Sequence, residues 1–308
     1  MTVPIRDAAT VILVRDALDE DGEPAIEVCM LRRALDAEFV AGAYVFPGGS
    51  VDPDDRGADV EGLCRGRTDG EASAVLGVES GGLAFWVAAL RECFEEAGVL
   101  LAYPSDHRHG ARDGSAIPLL DTSDPVTTAR FAGYRDAVNA GTTGILDVCR
   151  SEGLALAVDS VHYVSHWITP ELAPKRYDTR FFIAAAPPGQ VARHDDSETI
   201  ASIWVRPADA MARHQAGEID LLQPTVTNLA NIVGFHSTSE VMAWAAAITD
   251  VVTVLPVVVL EDGRLLILRP GDIGYEEALE AKQASDAAGK HEVEEAARAA
   301  WGPGAVQA

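Results

Sequence analysis

The chain has 308 residues, 48% of them hydrophobic, and a formal net charge of −24. This suffices for one large domain or two small ones with a sizeable core. The charge argues against binding along nucleic-acid backbones and against docking on anionic membranes, both of which take basic patches.

It leaves room for an anionic small substrate, because a metal ion and a few local arginines can reverse the field inside one cleft. The four cysteines (Cys29, Cys64, Cys93, Cys149) contain no C-x-x-C pair and no zinc-ligand spacing. Cys29 and Cys93 fall at apolar positions, as small core residues do. With no disulfide framework, a reducing, cytoplasmic compartment is expected. Residues 1–7 do not form a signal peptide, no run of about 18 apolar residues appears, and residues 305–308 are not a serine-lysine-leucine tag.

In chain order, residues 8–15 and 26–32 are β-branched and apolar and predict two strands paired through a polar loop. Arg32 and Arg33 end the second strand, either as phosphate contacts, which suit the guanidinium fork, or as a charged strand end. Phe39 and Phe46 either wall a base or pack beside the strands. Phe46-Pro47-Gly48-Gly49-Ser50-Val51-Asp52 carries a Gly-Gly turn, where backbone can approach a ligand closely. Residues 53–82 are rich in loop formers, with two helical turns predicted over 71–78. Residues 83–97 form a helix, apolar on most sides, that ends in Arg91-Glu92-Cys93-Phe94-Glu95-Glu96-Ala97-Gly98-Val99. At about 100° per residue, Glu92, Glu95 and Glu96 share one arc. Like charges at these spacings repel, and a hard divalent cation with oxygen ligands would offset that. The alternative is a solvated acidic face. Gly98 stands where a helix C-terminus needs a left-handed residue.

Further on, 104–123 is a polar loop with His107 and His109, and helices are predicted over 125–140 and 145–156, forming a helical insert. A strand over 161–168 ends in Trp167-Ile168-Thr169-Pro170. Lys175, Arg176 and Arg180 then cluster, to meet substrate phosphates or merely as a soluble loop. A strand covers 180–184. Glu198 precedes the apolar strand 200–205, either as a site carboxylate or as a turn acid. Helices are predicted over 207–215, from 221 and over 240–248. Residues 251–275 form two apolar runs around a hairpin turn, and 276–300 a charged, alanine-rich helix or tail. This C-terminal piece, 251–308, is a candidate for closing a homodimer or covering a sheet edge. We therefore expect one domain over 1–250, with inserts at 53–82 and 104–158, and a C-terminal extension.

The two motifs together resemble the Nudix hydrolases. Gly49 fits the first glycine of that signature, and Arg91, Glu92, Cys93, Glu95, Glu96, Gly98 and Val99 fit its second half. Two departures stand out: Asp55 replaces the first glutamate, and residues 56–90 separate it from Arg91 where the family has seven. A coenzyme A diphosphatase subfamily, the nucleoside diphosphate-linked moiety X motif 19 type, carries a long insertion at this point. Residues 46–52, 88–101, 167–170 and 176–182 look similar to that group. The resemblance implies an α/β Nudix fold, a mixed sheet sandwiched between helices. It implies that Glu92, Glu95 and Glu96, with the Gly49 carbonyl, hold Mg2+ or Mn2+. Arg91 would orient the carboxylates, and Glu198 or a signature glutamate would accept a proton from water. The expected partner is a nucleotide-containing small molecule, coenzyme A or an acyl-coenzyme A first, then ADP-ribose, NADH or dinucleoside polyphosphates. Two other readings are a nucleotide-binding module without catalysis, which the intact Arg91, Glu92, Glu95 and Glu96 oppose, and an acidic scaffold.

Overall fold

The computed structural model describes residues 3–35, 41–104, 117–171, 173–195, 197–261, 264–288 and 293. The first half contains β1 (Ile5–Leu18), β2 (Pro24–Arg33), β3 (Tyr44–Val45), β4 (Gly48–Ser50), α1 (Asp69–Leu76), α2 (Leu83–Ala97), β5 (Ala102–Pro104), α3 (Pro125–Asn139) and α4 (Ile145–Glu152). There follow β6 (Leu154–Leu156), β7 (Val161–Ile168), β8 (Arg176–Ala185), β9 (Thr199–Val205), α5 (Pro207–Gln215), α6 (Gln223–Ile232) and α7 (Thr238–Ala246). The last elements are β10 (Thr253–Val254), β11 (Val257–Glu261), β12 (Arg264–Leu268) and α8 (Tyr275–Ala288). His107 and His109 lie outside the described residues, as does Phe39. Among the described residues no helix is long and apolar enough to cross a membrane.

The chain divides into two compact units. The larger comprises Ala8–Val164 and Arg180–Thr249, and the smaller Met1–Asp7, Ser165–Thr179 and Asp250–Ala308. In the larger unit the strands run in the order β7-β8-β1-β2-β3, with β4 on β1 and β9 on β2. The run Val11-Ile12-Leu13-Val14 in β1 is buried on both faces, as an unbroken apolar strand in mid-sheet should be. The pairing Val14↔Val28 is antiparallel, and Ala9↔Gly49 sets the Gly-Gly segment alongside β1. Cys29 and Cys93 are buried and free, as their apolar positions suggest.

Helix α2 is the central element of this unit, with nearly every side chain from Leu83 to Cys93 buried. Trp86 packs on Phe182 of β8 at 4.7 Å between ring centroids, and its Nε1–H donates to Val161 O at 2.9 Å. The insertion folds back onto α2. Thr68 and Glu71 form a reciprocal capping box at the start of α1. Asp69 then accepts the backbone N–H groups of Gly81 and Leu83, at 2.9 and 3.0 Å. A carboxylate from the insertion thus caps the N-terminus of α2, where negative charge is favoured.

One predicted helix is shorter than its pattern. The apolar spacing of 145–156 continues to Leu156, but α4 stops at Glu152. Gly153 takes φ +61°, a left-handed stop. The remaining Leu154-Ala155-Leu156 pairs antiparallel with β5 as β6. A three-residue apolar run after glycine carries no period that separates strand from helix.

In the smaller unit, β10 pairs parallel with the far end of β7, through Thr253↔His166 and Val254↔Trp167. His166 joins both neighbours, with Nε2 2.6 Å from Asp178 Oδ1 and Nδ1 2.7 Å from Thr253 Oγ1. The hairpin β11–β12 forms as predicted, and Val257 packs with Tyr275 and Ala278 of α8.

Candidate active site

The last two turns of α2 meet β4. Gly48 N–H donates to Glu96 Oε2 at 2.9 Å. Gly49 lies against the Glu92 carboxylate so closely that an added Cβ would fall 2.6 Å from Glu92 Cδ. A side chain there would have to displace the Glu92 carboxylate. The long insertion therefore does not displace the Gly-Gly segment from the helix; β4 stays on β1 and the intervening chain loops out and returns. Gly49→Ala is expected to push the Glu92 carboxylate aside while leaving the fold intact. Turnover should fall by roughly a hundredfold, the usual cost of misplacing a reacting group by about 1 Å. Steady-state kinetics beside a melting curve checks this; full activity in a stable variant would refute it.

Arg91 is the hub of the site. Its Nε and Nη2 reach the two oxygens of Asp55, both at 3.0 Å, and Nη2 also donates to Ser50 O at 2.8 Å. Its Nη1 donates to Glu92 Oε1 at 2.8 Å and Glu95 Oε2 at 2.9 Å. The bidentate fork is the geometry that arginine, and not lysine, offers a carboxylate. Asp55, only 2% exposed, thus serves as a brace on Arg91.

Glu96 is buried, and Glu92 lies half-buried beside it. Burial pushes Glu92 up to about 7, and Arg91 only partly offsets this. Burial also pushes Glu96 well above the ordinary carboxylate range, and the neighbouring Glu92 adds to it. Exposed Glu198, at the head of β9, stands close enough to repel both, and Arg33 close enough to attract Glu96. This excess of carboxylate over cation is what a hard divalent ion would offset, so the donor chemistry fits Mg2+ or Mn2+. The side chains are not gathered round one point: among the described residues no three His, Cys, Asp or Glu groups are arranged to hold a metal ion. Arg91 is holding two of the carboxylates instead.

The other residues singled out in the sequence divide. Arg32 Nε donates to Gly42 O at 3.3 Å, which ties down the turn before β3. Phe46 is 2% exposed and packs in the core, so it offers no ring to a base, in contrast to the first of its two sequence readings. Arg180 is buried in the larger unit, its guanidinium 5.0 Å from the centroid of the Phe85 ring. Lys175 and Arg176 belong to the smaller unit, where Arg176 Nε donates to Thr169 O at 3.1 Å. Two residues the sequence did not single out touch α2 directly: Asp69 at its start and Arg135 of α3 at its end. Neither carries a local signal, since each acts across a long stretch of chain.

Comparison with known proteins agrees with this architecture. The family described as NUDT19 Nudix domain matches residues 5–232. Acyl-coenzyme A diphosphatase NUDT19 of Gallus gallus is 27% identical over 307 residues, covering 88% of this chain and 80% of its own length. The Homo sapiens protein of the same name is 28% identical over 273 residues, covering 80% of this chain and 71% of its own. A crystal structure of a NUDIX hydrolase from Alicyclobacillus acidocaldarius superposes with a TM-score of 0.57 at 27% identity, over 78% of this chain and 96% of that one. With the family pattern spanning β1 to the end of α6, and the Arg91–Glu96 helix set against Gly49 within it, the chain belongs to the NUDT19 Nudix domain family of hydrolases.

Proposed function

We propose that this enzyme cleaves the diphosphate linkage of coenzyme A or an acyl-coenzyme A, at a site made by Glu92, Glu95, Glu96 and the Gly49 carbonyl with Mg2+ or Mn2+. The observation that carries the reading is the contact of the Gly-Gly segment with Glu92 and Glu96 of α2. The substrate class rests on what the two NUDT19 relatives are named for. A bound divalent ion would supply neutralisation of the diphosphate charge and a more acidic water. The chain's own residues do the rest. Arg91 fixes the rotamers of Glu92 and Glu95, with Asp55 fixing Arg91 in turn. Gly48 N–H orients Glu96. Glu198, held at the head of β9, accepts the proton of the attacking water. Arg33 brings positive charge to the diphosphate side of the site, which matters because phosphoryl transfer asks mainly for positioning and charge neutralisation.

The test is turnover against coenzyme A, acetyl-coenzyme A, ADP-ribose, NADH and diadenosine polyphosphates, with Mg2+, with Mn2+ and with chelator. Chelator-sensitive release of a phosphopantetheine fragment from coenzyme A, ahead of the other substrates, is the expected result. Preference for ADP-ribose, NADH or a dinucleoside polyphosphate would reassign the substrate. A panel left intact, with one compound still raising the melting temperature, would make the chain a nucleotide-binding module.

A further inference from the structure

The helical insert reaches the carboxylate-bearing helix through one side chain. An α-helix leaves its last four carbonyls without intrahelical partners. In α2 these belong to residues 94–97. Phe94 O accepts Gly98 N–H at 3.0 Å, and Ala97 O accepts Arg193 N–H at 2.8 Å. The other two, those of Glu95 and Glu96, both go to Arg135 of α3. Its Nε donates to Glu95 O at 2.8 Å and its Nη2 to Glu96 O at 2.7 Å. Asn139, one turn further along α3, adds Nδ2 to Glu95 O at 3.3 Å. One guanidinium therefore holds the backbone of both adjacent glutamates. A cation at a helix C-terminus is favoured by the helix dipole as well.

The third arm of the same group goes elsewhere. Arg135 Nη1 donates to His194 O at 3.3 Å. Next in the chain, Asp195 accepts Glu198 N–H at 3.1 Å and Thr199 N–H at 2.8 Å. The path from Arg135 thus runs through His194 and Asp195 to the backbone of Glu198. The guanidinium joins the two segments of chain that carry Glu95, Glu96 and Glu198. It lies tight on the helix end: a Cβ added at Gly98 would fall 3.2 Å from Nη1.

We propose that Arg135 is a positioning residue of the hydrolytic site, fixing the last turn of α2 against His194 so that Glu95 and Glu96 address one divalent cation with Glu198 held beside them. This rests on the reading of Glu95 and Glu96 as members of the cation-holding set and of Glu198 as the proton acceptor. A residue that only stabilised the fold would lower the melting temperature and leave cation affinity as it was.

The experiment uses the full chain as wild type, Arg135→Met, Arg135→Lys and Glu96→Gln. Mn2+ affinity is measured by electron paramagnetic resonance without substrate, and kcat and KM for coenzyme A are measured at saturating Mn2+. Arg135→Met is expected to weaken Mn2+ binding by roughly 10- to 100-fold, as loss of outer-shell support does. It should lower kcat and leave KM nearly unchanged. Arg135→Lys keeps the charge without the fork and should recover part of the Mn2+ affinity. Unchanged Mn2+ affinity in folded Arg135→Met overturns the proposal. If that variant does not fold, unchanged affinity in Arg135→Lys overturns it. If Glu96→Gln itself leaves Mn2+ affinity and turnover intact, the reading of the carboxylate site falls, and the proposal with it. Loss in Glu96→Gln without loss in the Arg135 variants removes the role of Arg135 alone.

Discussion

Glu96→Gln is expected to lower turnover by roughly a hundredfold or more, because loss of one carboxylate from the cation-holding set misplaces the reacting groups. The same change should make the metal-free protein harder to melt. Glutamine keeps the shape and can still accept the Gly48 N–H, while it removes one of two buried charges that repel each other. The pH dependence follows from the direction of these shifts. The unfolded chain releases its carboxyl protons in the ordinary range, whereas burial holds the proton on Glu96 to well above that range. The stability gained from the protonated form is complete at acid pH and is lost as pH rises through that window. Without divalent cation, the melting advantage of Glu96→Gln should therefore open as pH rises above the ordinary carboxylate range, and saturating Mn2+ should close it. Calorimetry with and without chelator reads this beside the kinetics. A Glu96→Gln variant that turns over normally would defeat the site reading.

Arg91→Met should be the most destabilising single change at the site. It strands Asp55, almost fully enclosed, and releases Glu92 and Glu95 together. Breaking a buried ion pair by removing one partner costs about 3–5 kcal/mol. For a unit of this size that is a melting decrease on the order of 10 °C. The cost lies in the stranded charge, so adding Asp55→Asn to Arg91→Met should return a good part of the stability without returning activity. A double variant no more stable than Arg91→Met would show that the Arg91–Asp55 pair is not where the cost resides.

Much of this site is legible in the sequence because its chemistry constrains residue types at short range. The Glu92, Glu95 and Glu96 arc follows from helical spacing, and a glycine leaves the Glu92 carboxylate its place where β4 touches it. The strands β1, β2 and β9 are equally plain, being β-branched and bounded by turns. What escaped is long-range. Asp55 stands six residues after Gly49, in place of the first signature glutamate, yet its partner is Arg91, brought back by the insertion. Asp69 and Arg135 sit in segments whose own patterns announce only a capped helix, and capping another helix leaves no periodic mark. The early end of α4 turned on one glycine conformation that apolar spacing does not record.

The two ends of α2 have a consequence for attempts to pare this chain down. Its first amide, that of Leu83, is held by Asp69 and the carbonyls of Glu95 and Glu96 by Arg135, both in segments that a signature-based alignment would trim as decoration. A miniature built from the sheet, the Gly-Gly segment and the signature helix would retain every motif residue and still leave the Leu83 amide and the Glu95 and Glu96 carbonyls without these partners. Fraying would then begin at the turn that bears Glu95 and Glu96. Chimeras that graft this helix into a simpler relative should carry α1 and α3 with it as one transplantable part.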